Sequence, residues 1–413
     1  MGSSFRPRVR GFAWMLTLIY FASYLTRINF TVMLVVVCSE LQLTKLDLAA
    51  VVTGLTISYG VGQILSGMIA DRLKPERLLT FGLCVAAACN IAMSFLSNVA
   101  LMTVVWCING LAHALLWPPM VRLMSVRLDD REYGYACVRV FWGSSIATIL
   151  LYLGCPALLG FMNWRGILRL CAVGGLLIAA GWTYYANGHM LATLENVAGL
   201  AQKGKTEAAK PKAALPAYVY FPIVMVMLGI IFQGMLRDGV SNWMPSFMLE
   251  TFGLPEEKAI VVTVVLAIIS MVCSSVFNAL HQKLLRNEVF CAAVIFLGAL
   301  VSAALLLTVS ESSVALSALL MAIIVACMHG VNLMLITVVP KRFAATGRVA
   351  TFTGIFNSGT YIGAALSTYG FAALADARGW NFTILMWSVI AALGVLSCLG
   401  VTRIWKKFCR ENA

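Results

Sequence analysis

Two arginines, Arg27 and Arg237, each lie near the middle of a long apolar run, at 12–38 and 217–249. A guanidinium at that depth in a bilayer costs ~2.5–3.5 kcal/mol on insertion scales, so a chain keeps it where a water-filled cavity or a partner receives it. The ionisable groups at comparable depth do not balance. Against the two arginines stands one acid, Asp238; Arg139 and Arg169 lie nearer helix ends, and Glu40, Asp71 and Glu250 sit at span ends. Asp238 follows Arg237 directly, and helix neighbours point about 100° apart, so it is poorly placed to bridge both arginines. The imbalance points to an anionic ligand. Planar guanidinium forks suit carboxylate or phosphate oxygens, and two forks suit a dianion. The competing reading is that each arginine snorkels, stacks on an aromatic ring or pairs with helix-end carbonyls; from mid-span, snorkelling is difficult.

Polar and aromatic side chains at similar depth complete the candidate binding set: Tyr24, Tyr59, Gln63, Trp142, Ser144, Asn357 and Tyr361, beside Arg27, Arg237 and Asp238. For any single Tyr or Trp, packing or interface anchoring competes with ligand contact. His113 and His329 are expected to make helix–helix hydrogen bonds. A different role falls to Asp71, which ends the second apolar run in the stretch Gly67-Met-Ile-Ala-Asp71-Arg72. An acid there can pair with basic residues of neighbouring helices when one end of the protein closes. Asp71, Arg72, Arg131 and Arg139 form the candidate gating set, although an exposed ion pair by itself contributes little. The corresponding place in the second half, 278–283, reads Asn-Ala-Leu-His-Gln-Lys and has no acid.

The elements that position these groups follow from composition. The chain has 413 residues, 61% hydrophobic and 11% charged, with mean hydropathy +0.89, far from the quarter charged of a soluble domain. Twelve apolar runs are long enough to cross a bilayer: about 12–38, 48–71, 77–97, 100–126, 134–160, 164–185, 217–249, 258–281, 288–309, 313–340, 347–374 and 380–404. The expected fold is an all-α membrane protein with twelve transmembrane helices in two pseudo-symmetric six-helix bundles, 1–186 and 217–413. The polar connection 187–216 is read as a cytoplasmic linker with a short surface helix. Basic residues crowd alternate connections, among them Arg72, Lys74 and Arg77, the linker lysines Lys203, Lys205, Lys210 and Lys212, and Arg403, Lys406, Lys407 and Arg410. Positive residues stay inside, so both termini and the linker are expected to be cytoplasmic, in a cell membrane of bacterial inner-membrane type. The same rule accounts for the net charge of +13 without a nucleic-acid partner. The basic N-terminus leads into a run too long for a signal-peptide core, so it reads as an uncleaved first span. The halves repeat: Arg27 and Arg237 are 210 residues apart, and Phe141-Trp-Gly-Ser144 and Phe356-Asn-Ser-Gly359 are 215 apart. Repeats of this kind place a transporter's site near the midplane.

No GxxxxGK[ST], HExxH, nucleophile elbow or paired catalytic carboxylates occur, so neither ATP-driven transport nor enzymatic activity is expected. The twelve cysteines include no CxxC and mostly lie inside apolar runs, so they read as small core residues. No cofactor or metal is expected. The expected partners are a small anionic substrate and the lipid bilayer, with the protein expected to be a monomer.

Several stretches carry a family resemblance. The loop Gly67…Asp71-Arg72…Arg77 resembles the common motif of the major facilitator superfamily. Tyr24-Leu-Thr-Arg27-Ile-Asn29-Phe30, Ile57-Ser-Tyr59-Gly60, Asn109-Gly110-Leu-Ala-His113 with Trp117-Pro118-Pro119 and Arg122, Arg131-Glu132-Tyr-Gly134, Leu236-Arg237-Asp-Gly239 with Trp243-Met-Pro245, and Phe352-Thr353-Gly354 resemble its organophosphate:phosphate antiporters, from about 14 to 385. That resemblance implies that Arg27 and Arg237 hold a phosphoryl group, that Tyr59 is a site tyrosine, and that two six-helix bundles rock to give alternating access. The departures reduce positive charge: Ile28, Gln63 and Ser144 stand where basic groups occur in glycerol-phosphate-type members, and Asp238 adds an acid. Three readings remain open. The first is exchange of a phosphorylated organic solute for inorganic phosphate. The second is proton-coupled or facilitative carriage of a sugar-acid-type monoanion. The third is sensing of a sugar phosphate.

Overall fold

Helix-starting and helix-breaking residues divide the apolar chain much as its hydropathy does. The computed structural model describes residues 7–43, 45–187, 215–255 and 262–411. The four linker lysines, the short surface helix expected near them and the start of the eighth span lie outside the described residues. The first span runs Pro7–Val32 and Leu34–Leu41, stepping out of helical geometry at Met33. The next five are Lys45–Ala70, Pro75–Met93, Val99–Ala114 continued by Trp117–Arg127, Asp130–Leu159 and Trp164–Asn187. The seventh to tenth are Tyr220–Phe252, Val264–Lys283, Glu288–Val309 and Val314–Lys341. The eleventh and twelfth form one element, Val349–Leu399, divided at Gly379, whose φ of 76° is the left-handed geometry that glycine adopts without strain. Ten of the described helices are long and apolar enough to cross a membrane; the first and eleventh spans complete the twelve.

The starts and interruptions have local causes. Asn98, Asn287 and Ser313 accept hydrogen bonds from the backbone N–H three residues on, and Asp129 with Glu132 makes a capping box at the fifth span. Pro118 and Pro119 have no N–H for the carbonyls of Ala114 and Leu115, so the fourth span restarts at Trp117. In the tenth span a wide π turn, Leu333–Val338, precedes Pro340. Outward faces are apolar: Ile57, Val61, Leu65 and Met68 form an exposed stripe at helical spacing on the second span, as a lipid-facing surface requires.

Close contacts divide the chain into two units, 1–213 with 347–355, and 214–346 with 356–413. The boundary falls inside the polar connection, but the first turns of the eleventh span group with the first unit, a detail that the apolar pattern does not contain. In the first unit, the first span packs along the fifth, the second along the fourth and the third along the sixth, around buried Phe30, Trp106 and Trp164. In the second, the tenth packs against the seventh, eighth and ninth.

The last span ends at Leu399 rather than at the expected 404. The chain leaves the helix at Gly400 and resumes as an amphipathic helix, Thr402–Glu411. Its Trp405 and Phe408 are buried against Phe343, while Arg403, Lys406, Lys407 and Arg410 are exposed. A buried acid holds it. Glu288, only 1% exposed, accepts from Arg342 at 2.8 Å and from the Trp405 indole at 3.1 Å. Burial, and after it the Glu288 carboxylate, pushes the nearby Cys409 thiol up to about 12. At pH 8 that thiol is overwhelmingly protonated and therefore slow to alkylate. Glu288→Gln removes the charge and loosens the helix, so maleimide labelling of Cys409, mapped by mass spectrometry, accelerates; a labelling rate equal to wild type would break the proposed link between this acid and the terminal helix.

Candidate functional site

Arg27 is positioned by aromatic faces. Its guanidinium carbon lies 4.4 Å from the ring centre of Tyr24, three residues earlier on the same helix, and 5.0 Å from that of Tyr59 on the second span. The aromatic set continues from Tyr24 to Tyr20, Trp117 and Phe141, with ring centres 5.2–5.4 Å apart. The opposite side of this turn of helix is held by amides. Asn90 on the third span donates to the Thr26 carbonyl at 2.7 Å, and Asn109 on the fourth donates to the same oxygen at 3.1 Å. Asn29 donates to Asn90 at 2.7 Å, and its own oxygen accepts from the Phe30 N–H at 2.8 Å. The Thr26 hydroxyl and His113 share a 3.4 Å contact, a helix–helix bond of the type expected for that histidine. Thr26, Asn29, Asn90, Asn109 and His113 are all at most 1% exposed. Within this network, Asn109 Oδ1 and His113 Nδ1 find no hydrogen-bond partner among the described residues.

Arg237 has a different environment. Asp238 turns back onto it and fills its fork, with Nε to Oδ1 at 2.7 Å and Nη2 to Oδ2 at 2.8 Å. The helical offset that hinders one acid from bridging two arginines does not stop it from neutralising its own neighbour, because the long arginine side chain curls across the gap. One turn earlier, fully buried Gln233 donates to the Met328 carbonyl at 3.1 Å and accepts from Thr360 at 3.3 Å, tying the seventh span to the tenth and eleventh. Gly234 and Gly363 let the seventh and eleventh spans touch: a Cβ on either would collide with the backbone at Thr360 or Ile231. Asn357 and Tyr361 share the eleventh span one turn apart, the former buried and the latter half-buried.

The remaining candidates sort by what they touch. Ser144 spends its hydroxyl on the Phe141 carbonyl of its own helix, at 2.8 Å. Gln63 is fully buried and neither of its amide atoms finds a hydrogen-bond partner among the described residues; its carbonyl lies where a Cβ on Gly354 would stand. Trp142 stacks on Arg139, 4.1 Å from ring centre to guanidinium carbon. Of the gating set, Asp71 does more than pair with a base. Its two oxygens accept from the backbone N–H groups of Ala350 at 3.0 Å and Thr351 at 2.8 Å, capping the helix that begins at Val349, with Arg122 Nε at 3.9 Å. Arg122 in turn donates to the carbonyls of Ala70 and Leu73. Arg72 and Arg131 are exposed at the ends of their helices. The polar groups that reasoning from the sequence passed over, Asn90, Gln233 and Glu288, share one signal: an amide or acid within or at the edge of an apolar run, a place a chain keeps only for a bonded group.

Among known proteins, the family model described as Major Facilitator Superfamily matches residues 16–368. A phosphoglycerate transporter protein of Salmonella typhimurium is 23% identical over 405 residues, covering 91% of this chain and 85% of that one. A probable hexose phosphate transport protein of Chlamydia trachomatis is 25% identical over 163 residues; that match covers 38% of this chain and spans only 36% of the relative's length. A solved structure, the proton:xylose symporter XylE bound to 6-bromo-6-deoxy-D-glucose, superposes with a TM-score of 0.71 at 14% identity, over 96% of this chain and 95% of that one, a likeness of fold.

The amide network behind Arg27 makes a stability prediction. Asn90→Ala takes the acceptor from the buried Asn29 amide and one of two side-chain donors from the Thr26 carbonyl, at a cost of about 1–3 kcal/mol. The melting temperature of the purified protein in detergent falls accordingly; an unchanged value would show that the network carries no stability.

Proposed function

The chain belongs to the Major Facilitator Superfamily, and on that footing we propose that it is a secondary transporter of a small organic anion, of the phosphorylated-solute class, exchanged for inorganic phosphate across a bacterial inner membrane with both termini cytoplasmic. The observation that carries this reading is Arg27, a guanidinium set by the faces of Tyr24 and Tyr59 in the middle of the first span and braced from behind by buried amides. A fork oriented in this way suits the oxygens of a phosphoryl group better than a mobile ammonium would. The phosphoglycerate transporter of Salmonella typhimurium, aligned over most of both chains, supports the substrate class.

In this reading Arg27 and Arg237 each supply anion-binding charge, Arg27 beside Tyr24 and Tyr59 and Arg237 in the unit that also carries Asn357 and Tyr361. Charge on the ligand gives the carrier its switch: an incoming dianion competes with Asp238 for the Arg237 fork, and the loaded and empty proteins differ by that exchange of partners. Asp71, holding the start of the helix at Val349, is the contact that must release for the ends of these helices to move.

The Arg237–Asp238 pair also favours a second reading. A carboxylate that already neutralises one guanidinium leaves a site suited to a monoanion, carried alone or together with a proton. The two readings part in proteoliposomes. Under phosphate exchange, Arg27→Lys and Arg237→Lys each lose about tenfold or more of the exchange of radiolabelled phosphate, the size expected for a lost charged, bidentate contact; wild-type rates in either variant would sink the reading. Under proton coupling, uptake of a sugar acid follows an imposed pH gradient in the wild type, and Asp238→Asn abolishes that dependence.

A further inference from the structure

The reading above leaves Arg139 unused. It sits on the fifth span nine residues beyond Asp130, about 13 Å along the helix. Three rings surround its guanidinium carbon: Trp142 at 4.1 Å, Tyr135 at 5.2 Å and Trp14 at 5.4 Å from their centres. Tyr135 and Trp142 are its i−4 and i+3 neighbours, so its own helix supplies two rings and the first span supplies the third. In its partners Arg139 differs from other arginines of the fold. Arg122, Arg127, Arg165, Arg237 and Arg342 each have a carboxylate oxygen within 3.9 Å. Arg139 has no ion pair and no hydrogen bond among the described residues.

Ring faces stabilise the charge but accept no N–H bonds in the guanidinium plane, where all five donors lie. A half-buried, rigidly stacked fork with no acceptor is shaped for a planar or tetrahedral oxyanion taken edge-on. Its location adds a direction. Trp14 precedes Arg27 by thirteen residues on the same helix, about 20 Å, towards the helix ends whose connections carry the basic residues. We infer that Arg139, framed by Trp14, Tyr135 and Trp142, is a second anion-binding station in the first unit, taking a phosphate-type oxyanion from a free solute or from a lipid headgroup. The station goes beyond the Arg27 reading and does not depend on it.

Trp14 and Trp142 make it observable, because an anion on Arg139 changes the field at both indoles. Inorganic phosphate is titrated against the purified full-length protein in dodecyl maltoside, and in nanodiscs of phosphatidylcholine with and without phosphatidylglycerol, while tryptophan fluorescence is recorded. The wild type shows a saturable change that persists in Arg27→Lys. Arg139→Gln weakens it about tenfold or more, and Arg139→Lys, which keeps the charge without the planar fork, falls between. Equal melting temperatures without phosphate establish that the variants are folded, and if Arg139→Gln does not fold, Arg139→Lys carries the comparison. A response abolished by phosphatidylglycerol identifies a lipid headgroup as the occupant; one that survives identifies a free anion. No saturable response in the wild type, or Arg139 variants that respond like it, overturns the inference. A response lost in Arg27→Lys but kept in Arg139→Gln overturns it too and leaves the Arg27 reading standing, whereas the reverse pattern supports the station and leaves the Arg27 reading to the exchange measurement in proteoliposomes.

Discussion

A guanidinium in the middle of a membrane-spanning helix is the constraint on which the rest of this structure depends. It is tolerable only where its helix is held and its charge is received. In the first unit the holding is done by Asn90 and Asn109, which converge on the Thr26 carbonyl one residue before Arg27. The helix leaves regular geometry at Met33, a turn and a half later. In the second unit Gln233, one turn before Arg237, does the comparable job towards Met328 and Thr360. In both cases a side-chain amide inside the hydrocarbon region replaces water as the partner of a backbone or side-chain polar group, so an arginine can be kept in place without leaving most of its neighbours unpaired.

The repeat extends to the ends of the helices. Glu76 near the start of the third span pairs with Arg127 at the end of the fourth, at 2.6 Å, and the Trp182 indole donates to the Glu76 carbonyl. Glu288 at the start of the ninth pairs with Arg342 beyond the tenth, and there the Trp405 indole donates to the carboxylate itself. Each unit thus has an acid at a helix start, an arginine at the end of the following span, and an indole closing the corner. The acid lies where the positive end of a helix dipole favours it and the arginine where the negative end does. The halves differ at the corner that the first unit uses to hold another helix: Asp71 caps the helix beginning at Val349, whereas the second half has no acid at the equivalent place.

Charge on this protein is graded. Arg237 is matched by its own neighbour, Arg127 and Arg342 are locked into corners, Arg27 is set by tyrosine faces, and Arg139 by three rings. An ion pair meets the charge of a guanidinium within the protein, whereas the ring faces around Arg139 accept no N–H bonds in its plane.

Much of the architecture was legible in the chain because a bilayer permits so little. Backbone polar groups must be satisfied within helices, so twenty-residue apolar runs count the spans, and the mid-span position of Arg27 and Arg237 marks them as exceptional whatever surrounds them. The end of the last span was misplaced because Val401, Ile404, Trp405 and Phe408 extend the apolar count, and only packing against Phe343 and Glu288 shows that they belong to a helix of their own. Partner choice was not legible either. Sequence spacing sets the angle between Arg237 and Asp238 on their helix, but side-chain length and rotamer decide that they close into a fork. Asn90, Asn109 and Thr26 are 64 and 83 residues apart along the chain from their shared contact, and Trp14 reaches Arg139 from another span. By itself the sequence determined which groups are too polar for their surroundings; the tertiary structure decided which of them satisfy one another, since that depends on distances between helices that no one-dimensional pattern contains.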